Sequence, residues 1–191
     1  SMAIKHAQVP VVAAVQGMAL GGGCEFAMHA AHRVLALESY VGLVEAGVGL
    51  IPAGGGSKEF ALQAHAMAQR AAGGDVFPYI QNAFQTIAMA TVAKSGLEAV
   101  QLGFGRAGDD VVFNAAELLH VAIQRARALA ESAWRPPLPS RKVTVAGRNG
   151  IATCELMLVN MAEGGFISAH DYRVARAAAT ALCGGDRKSV V

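Results

Sequence analysis

The chain has 191 residues, 53% of them hydrophobic and only 16% charged, with 22 glycines and a formal net charge of +2. This length and apolar content give a sizeable core and exclude disorder. No uncharged stretch reaches the roughly 20 residues a membrane helix needs, and thinly scattered Lys and Arg argue against a nucleic-acid surface.

The opening SMAIKHAQ shows no signal-peptide pattern. Cys24, Cys154 and Cys183 are odd in number and far apart. They fit neither a disulfide framework nor a metal set, and read as small buried residues in a reducing, cytoplasmic setting.

Val9 to Val15 is an apolar run rich in β-branched residues, ended by Gly17; it reads as a buried strand with Pro10 at its start. Gly21, Gly22 and Gly23 follow, then a short helix from Glu25 to Ala31. RVLALES, residues 33–39, predicts a second strand. Strand, glycine turn, helix and strand in succession indicate an α/β arrangement.

GLVEAGVGLIPAGGG, residues 42–56, predicts a loop with at most a helical turn. From Ser57 onward Phe60, Ala61, Ala64, Met67 and Ala68 share one face of a helix. Another helix runs over 78–90, with Pro78 in its first turn. Ser95 with Glu98, and Asn114 with Glu117, have capping-box spacing. The second pair opens a long amphipathic helix with Leu118, Leu119, Ala122, Ile123, Ala126 and Leu129 on one face.

The prolines of WRPPLPSR, residues 134–141, mark a linker. KVTVAG is a short extended piece, and GIATCELMLVNMAEGG a helix ended by Gly164 and Gly165. Ser168 and Asp171 start the last helix. Two or three strands against six helices are too few for a sheet of their own. The sheet is therefore small and covered by helices, or the chain is a piece of something larger.

A helix whose first amides face a cavity offers free N–H donors to an anion or oxyanion, and glycines there let a carbonyl come close. Glu25 sits just past such donors, and Glu45 lies in the second glycine-rich loop. Two carboxylates at one cavity can move a proton and activate water. The plainer readings are a first-turn glutamate favoured by the helix dipole and a surface-loop glutamate. GMALGGG is not a dinucleotide fingerprint, and GGGSK lacks phosphate-loop spacing. His29 and His32 share helical spacing without a third ligand, so no metal site is expected.

The stretch PVVAAVQGMALGGGCEFAMHAAHRVLALESYVGLVEAGVGLIPAGGGS resembles the second half of the crotonase (enoyl-CoA hydratase/isomerase) core. The shared pattern is an apolar strand, G-x-x-x-G-G-G-x-E, a second strand, then E-x-x-x-G-x-x-P-x-x-G-G. The resemblance implies an α/β, partial crotonase-like core with a helix-rich C-terminal part. It puts an oxyanion-hole amide on Gly22, the acid–base pair on Glu25 and Glu45, and substrate contacts on Gly21, Gly23, Pro52 and Gly54. The implied reaction is hydration of the 2,3 double bond of a coenzyme A thioester. Glu45 is the candidate for the proton at the activated carbon and Glu25 for the water, the division of roles being left open. Both carboxylates are expected to reach one shared water.

Residues beyond 73, including AFQTIAMATVAKSGLEAVQLGF and ALCGGD, resemble the hydratase portion of proteobacterial 3-hydroxyacyl-CoA dehydrogenases. The implied parts are the second half of the core over 1–73, a helical extension over 74–133, the linker over 134–141 and a C-terminal helical segment over 142–191. No cofactor is expected in this chain. The resemblance implies that NAD belongs to an N-terminal dehydrogenase domain outside it and the first oxyanion amide to a segment upstream, so the isolated piece is expected to be weakly active or inactive. Expected partners are the acyl-CoA substrate and further copies of the chain, with a thiolase complex of the parent left open. An isomerase or other thioester enzyme, and a non-catalytic oligomerisation module, are the competing readings.

Overall fold

The computed structural model describes residues 1–139, 142–185 and 189–190. After the one-turn helix α1 (Met2–Lys5), the apolar run pairs only from Val12, giving β1 (Val12–Val15). Pro10, which has no amide to donate, and the exposed Val9 stay outside the ladder. There follow β2 (Met18–Leu20), α2 (Gly22–His29), β3 (His32–Ala36) and β4 (Tyr40–Gly42). A single 3-10 turn at Glu45–Val48 interrupts the second glycine-rich loop before α3 (Gly56–Arg70).

Next come α4 (Phe77–Ala88), β5 (Val92–Ala93), α5 (Gly96–Gln101) and β6 (Asp110–Val112). A 3-10 turn at Ala115–Glu117 leads into α6 (Leu118–Glu131). The order closes with β7 (Val143–Thr144), α7 (Gly147–Glu163), α8 (Ala169–Leu182) and β8 (Ser189–Val190). Residues 134–139 of the predicted linker are irregular, while Ser140, Arg141 and Asp186 lie outside the described residues.

The chain divides into two compact units, Ser1–Leu43 with Val92–Pro139, and Val44–Thr91 with Ser140–Val191. The first holds two three-stranded sheets. In one, β3 pairs in parallel with both β1 and β6, Ala14 opposite Val34 and Val34 opposite Asp110. In the other, β4 pairs in parallel with β2 and antiparallel with β5. α6 packs on β1 and β3, and the core between them is Val34, Ala36, Val112, Leu118 and Ala122, with Val12 and Val121 at its edge. Each such Val or Leu buried in full contributes about 1.5–3 kcal/mol.

The face predicted for α6 is only half right. Leu119 and Ile123 remain 66% and 42% exposed, because the buried stripe runs through Leu118, Val121 and Ala122. A single sheet face covers a narrower arc of helix than the sequence offers.

The second unit is helical. α8 buries Val174, Ala175, Ala178, Ala179 and Leu182 among α3, α4 and α7, and the alanines permit close approach. β7 and β8 pair antiparallel. Of the three capping boxes, only Ser168–Asp171 forms in full. Ser95 caps the Glu98 amide, but the Glu98 carboxylate takes the Lys94 amide at 2.7 Å instead. The Asn114 side chain accepts from Ala116, one residue early, and this tightens the start of the helix into a 3-10 turn. Among the described residues no helix is long and apolar enough to cross a membrane.

Candidate active site

α2 begins three residues earlier than predicted, so Gly22 and Gly23 are its first turn rather than a preceding loop. Glycine is a poor helix former, and the local frame offsets this at the start of α2. Gly21 takes φ 53° and ψ −124°, a backbone that favours glycine, and its amide donates to the Gly42 carbonyl at 2.9 Å. The start of α2 is thereby tied to the β2–β4 ladder. The Glu25 amide makes the first intrahelical bond, to the Gly21 carbonyl at 3.0 Å. The amides of Gly22 and Gly23 precede it in the turn, where a helix has no acceptors of its own. Both glycines are exposed, and a Cβ on either would meet nothing within 4 Å. The space beside these two glycines is open.

Glu25 is only 5% exposed, inside the first turn where the helix dipole favours a carboxylate. One turn on, the buried His29 donates from Nδ1 to the Glu25 carbonyl at 2.6 Å. The far end of α2 is held by Arg33, itself 1% exposed. Its guanidinium donates to the carbonyls of Ala27, Met28 and Ala30 at 3.2, 3.3 and 3.2 Å. It also pairs with Asp109 through Nε and, at 2.9 Å, through its second terminal nitrogen. Asp109 further accepts from the Arg33 and Arg106 amides, at 3.1 and 2.7 Å.

Beside this pair, Asp110 accepts from Nε and one terminal nitrogen of Arg125, each at 2.8 Å, and from His32 Nε2 at 2.9 Å. These bonds, Arg125 first and then His32, hold the Asp110 carboxyl below its ordinary value. His29 and His32 thus have separate structural partners. The sequence reading missed Arg33 and Asp109; a lone arginine within an apolar strand was the available signal.

In the second unit, Glu45 opens its 3-10 turn half-buried. Gly47 donates to Val44 at 3.0 Å, Gly49 to Ala46 at 3.2 Å and Leu50 to the Glu45 carbonyl at 2.9 Å. Gly49 ends the turn in the left-handed region, φ 79°. The buried Pro52 gives its carbonyl to the Ser57 hydroxyl at 3.1 Å, and Gly54 lies exposed in the following turn. Gly55, at φ 121°, caps α3. Within that helix Glu59 is 2% exposed and pairs with Lys58 Nζ at 3.1 Å. Glu59 is a buried carboxylate that the sequence presents as an ordinary first-turn acid.

The structure thus gathers Gly21, Gly22, Gly23 and Glu25 at the start of α2, and Glu45, Pro52 and Gly54 in one loop. All three cysteines are buried and free. The Cys183 thiol is pushed up by its hydrogen bond with Cys154 and by burial, which disfavours a thiolate nucleophile there.

Residues 1–77 match the enoyl-CoA hydratase/isomerase family. Over 184 residues the chain is 41% identical to the "Probable 3-hydroxyacyl-CoA dehydrogenase" of Bacillus subtilis (strain 168), covering 96% of this chain and 23% of that protein. The chain therefore spans about a quarter of the length of that relative. Among solved structures, an enoyl-CoA hydratase from Bacillus anthracis aligns with a TM-score of 0.50 at 21% identity, over 94% of this chain and 56% of that one. A carnitinyl-CoA dehydratase from Mycobacterium avium 104 aligns with a TM-score of 0.50 at 25% identity, over 88% and 55%.

Proposed function

From the premise that the chain belongs to the crotonase (enoyl-CoA hydratase/isomerase) superfamily, with its α/β fold and helix-rich C-terminal part, we propose that it hydrates the 2,3 double bond of an enoyl-CoA thioester. The observation that carries this reading is the start of α2. The exposed Gly22 and Gly23, in the first turn of the helix, stand just before a buried Glu25, within the matched residues.

When oxygen adds at C3, the electrons of the double bond move onto the thioester oxygen. Amides fixed in advance stabilise that charge, and one lost donor typically costs about 3 kcal/mol. In this reading the thioester oxygen accepts from Gly22, and Gly21, Gly23, Pro52 and Gly54 are each substrate contacts. Glu25 takes a proton from water as its hydroxyl joins C3. Glu45, protonated at the outset, gives its proton to C2. Exchange with solvent restores both groups, so one water is consumed and the carboxyls return unchanged.

The parent protein, on the same proposal, carries an NAD-dependent dehydrogenase outside this chain, and so combines lyase and oxidoreductase steps on acyl-CoA. The support is the name of the Bacillus subtilis relative and the 23% of its length matched here. The exposed Phe113, Leu119 and Ile123 favour further copies of the chain as partners, which sedimentation tests. Three free buried thiols suit a cytoplasmic protein.

Product analysis tests the reaction. Incubating the full-length protein with crotonyl-CoA, in the absence of NAD, is expected to give the 3-hydroxyacyl thioester. A shifted double bond in a longer enoyl-CoA, with no water added, would make the protein an isomerase and remove the need for both glutamates.

A further inference from the structure

The turn that carries Glu45 rests on two helices of its own unit through two glycines. A Cβ on Gly47 would lie 3.4 Å from that of Ala90, just past α4. A Cβ on Gly49 would lie 2.7 Å from Nε2 and 3.3 Å from Cδ2 of His170. The imidazole is therefore seated against the backbone that closes the turn. His170 is the second residue of α8, and the capping box fixes the start of that helix. Asp171 donates its amide to Ser168 Oγ at 3.1 Å and accepts from the Ser168 amide and hydroxyl at 2.9 and 2.7 Å. Beyond this box, the buried face of α8 anchors it among α3, α4 and α7.

We infer that His170 is a positioning residue for Glu45: its ring, seated over Gly49, holds the turn at 44–50 in the conformation that presents the carboxylate. The inference rests on the reading of Glu45 as one of the two acid–base groups. Three backbone bonds within the turn define its shape, and the ring over Gly49 sits at its closing residue. Displacing a reacting group by about 1 Å can lower turnover on the order of a hundredfold. The ring acts through its shape and position, and no proton step is assigned to it. Its outer side faces solvent, so its removal leaves the core of α8 intact.

The test compares His170→Ala, His170→Phe and Glu45→Gln in the full-length protein. Hydrogen exchange across residues 44–50 and crotonyl-CoA hydration are both read. His170→Ala is expected to speed exchange in that segment while the buried amides of α8 keep their protection. Its kcat is expected to fall roughly tenfold to a hundredfold, with KM changed by less than about twofold. His170→Phe, which restores a ring, is expected to recover both. Unchanged exchange over 44–50 in His170→Ala overturns the inference whatever the activity. So does faster exchange with unchanged kcat in a protein that Glu45→Gln inactivates. If Glu45→Gln keeps full turnover while His170→Ala still speeds exchange, the ring does hold the turn and the acid–base reading falls. If Glu45→Gln abolishes turnover and His170→Ala alters neither measurement, the acid–base reading stands and the role of His170 falls.

Discussion

Two neighbouring aspartates in the first unit have similar partners and very different surroundings. The side chains of Asp109 and Arg33 are both 1% exposed, and between them they satisfy the end of α2 and the turn before β6. Removing one member of a buried pair leaves a charge without compensation and typically costs about 3–5 kcal/mol. Asp109→Ala is expected to lower unfolding free energy in urea by that amount; a loss below about 1 kcal/mol would show the network to be dispensable. Asp110 and Arg125 are 29% and 42% exposed, so water and salt screen their pair, which is worth at most about 1 kcal/mol.

The Asp110 pair carries a pH signature. The folded-state pKa of Asp110 is depressed, chiefly by Arg125, below the ordinary 3.8. Its contribution is therefore complete above the unfolded value and is lost as pH falls through the folded one. The stability gap between the native protein and Asp110→Asn should be widest near neutrality and close below about pH 4. A gap that widens in acid would contradict this assignment.

At the level of elements, close packing decides what a glycine is for. Gly96 opens α5 beside β3, and its amide donates to the Leu37 carbonyl at 2.9 Å. An alanine Cβ there would lie 3.0 Å from the Ala36 oxygen and Leu35 Cβ, and 3.1 Å from Val111 Cγ1. In an open helix Gly→Ala gains up to about 1 kcal/mol. Here the neighbours are backbone and core atoms that yield little, so Gly96→Ala should destabilise by about 1–3 kcal/mol in denaturant melts. A stabilised variant would show that α5 shifts freely.

The same dependence on distant neighbours limited what the sequence could reveal. The long helices announced themselves by periodicity, and β1 and β3 by their apolar runs. Tyr40–Gly42 and Asp110–Val112 are three-residue strands containing a glycine or an aspartate. They have no period to detect and exist because β2 and β3 offer them edges. α2 starts on glycines against propensity because Gly42, far along the chain, holds Gly21. At the candidate site Glu25 and Glu45 stand out beside their glycine clusters, and Gly22 is singled out by the family resemblance. His170 did not, since only the packing of α8 brings it to Gly49.

At the scale of the whole molecule, this chain matches 23% of the length of the Bacillus subtilis relative, so the decisive assay uses the full-length protein. The central proposal is that hydration needs both carboxyls, Glu25 for the water and Glu45 for the proton at C2. General acid–base groups typically contribute about a hundredfold to ten-thousandfold each. Glutamine keeps the shape of each side chain and removes the ionisable proton. The most direct measurement is the steady-state hydration of crotonyl-CoA by the native protein, Glu25→Gln, Glu45→Gln and the double variant. Each single change is expected to lower kcat by at least about a hundredfold with KM little altered, and the double variant to fall hardly further, as expected of groups that work as a unit. Either single variant turning over at a rate within about threefold of the native protein would contradict the account.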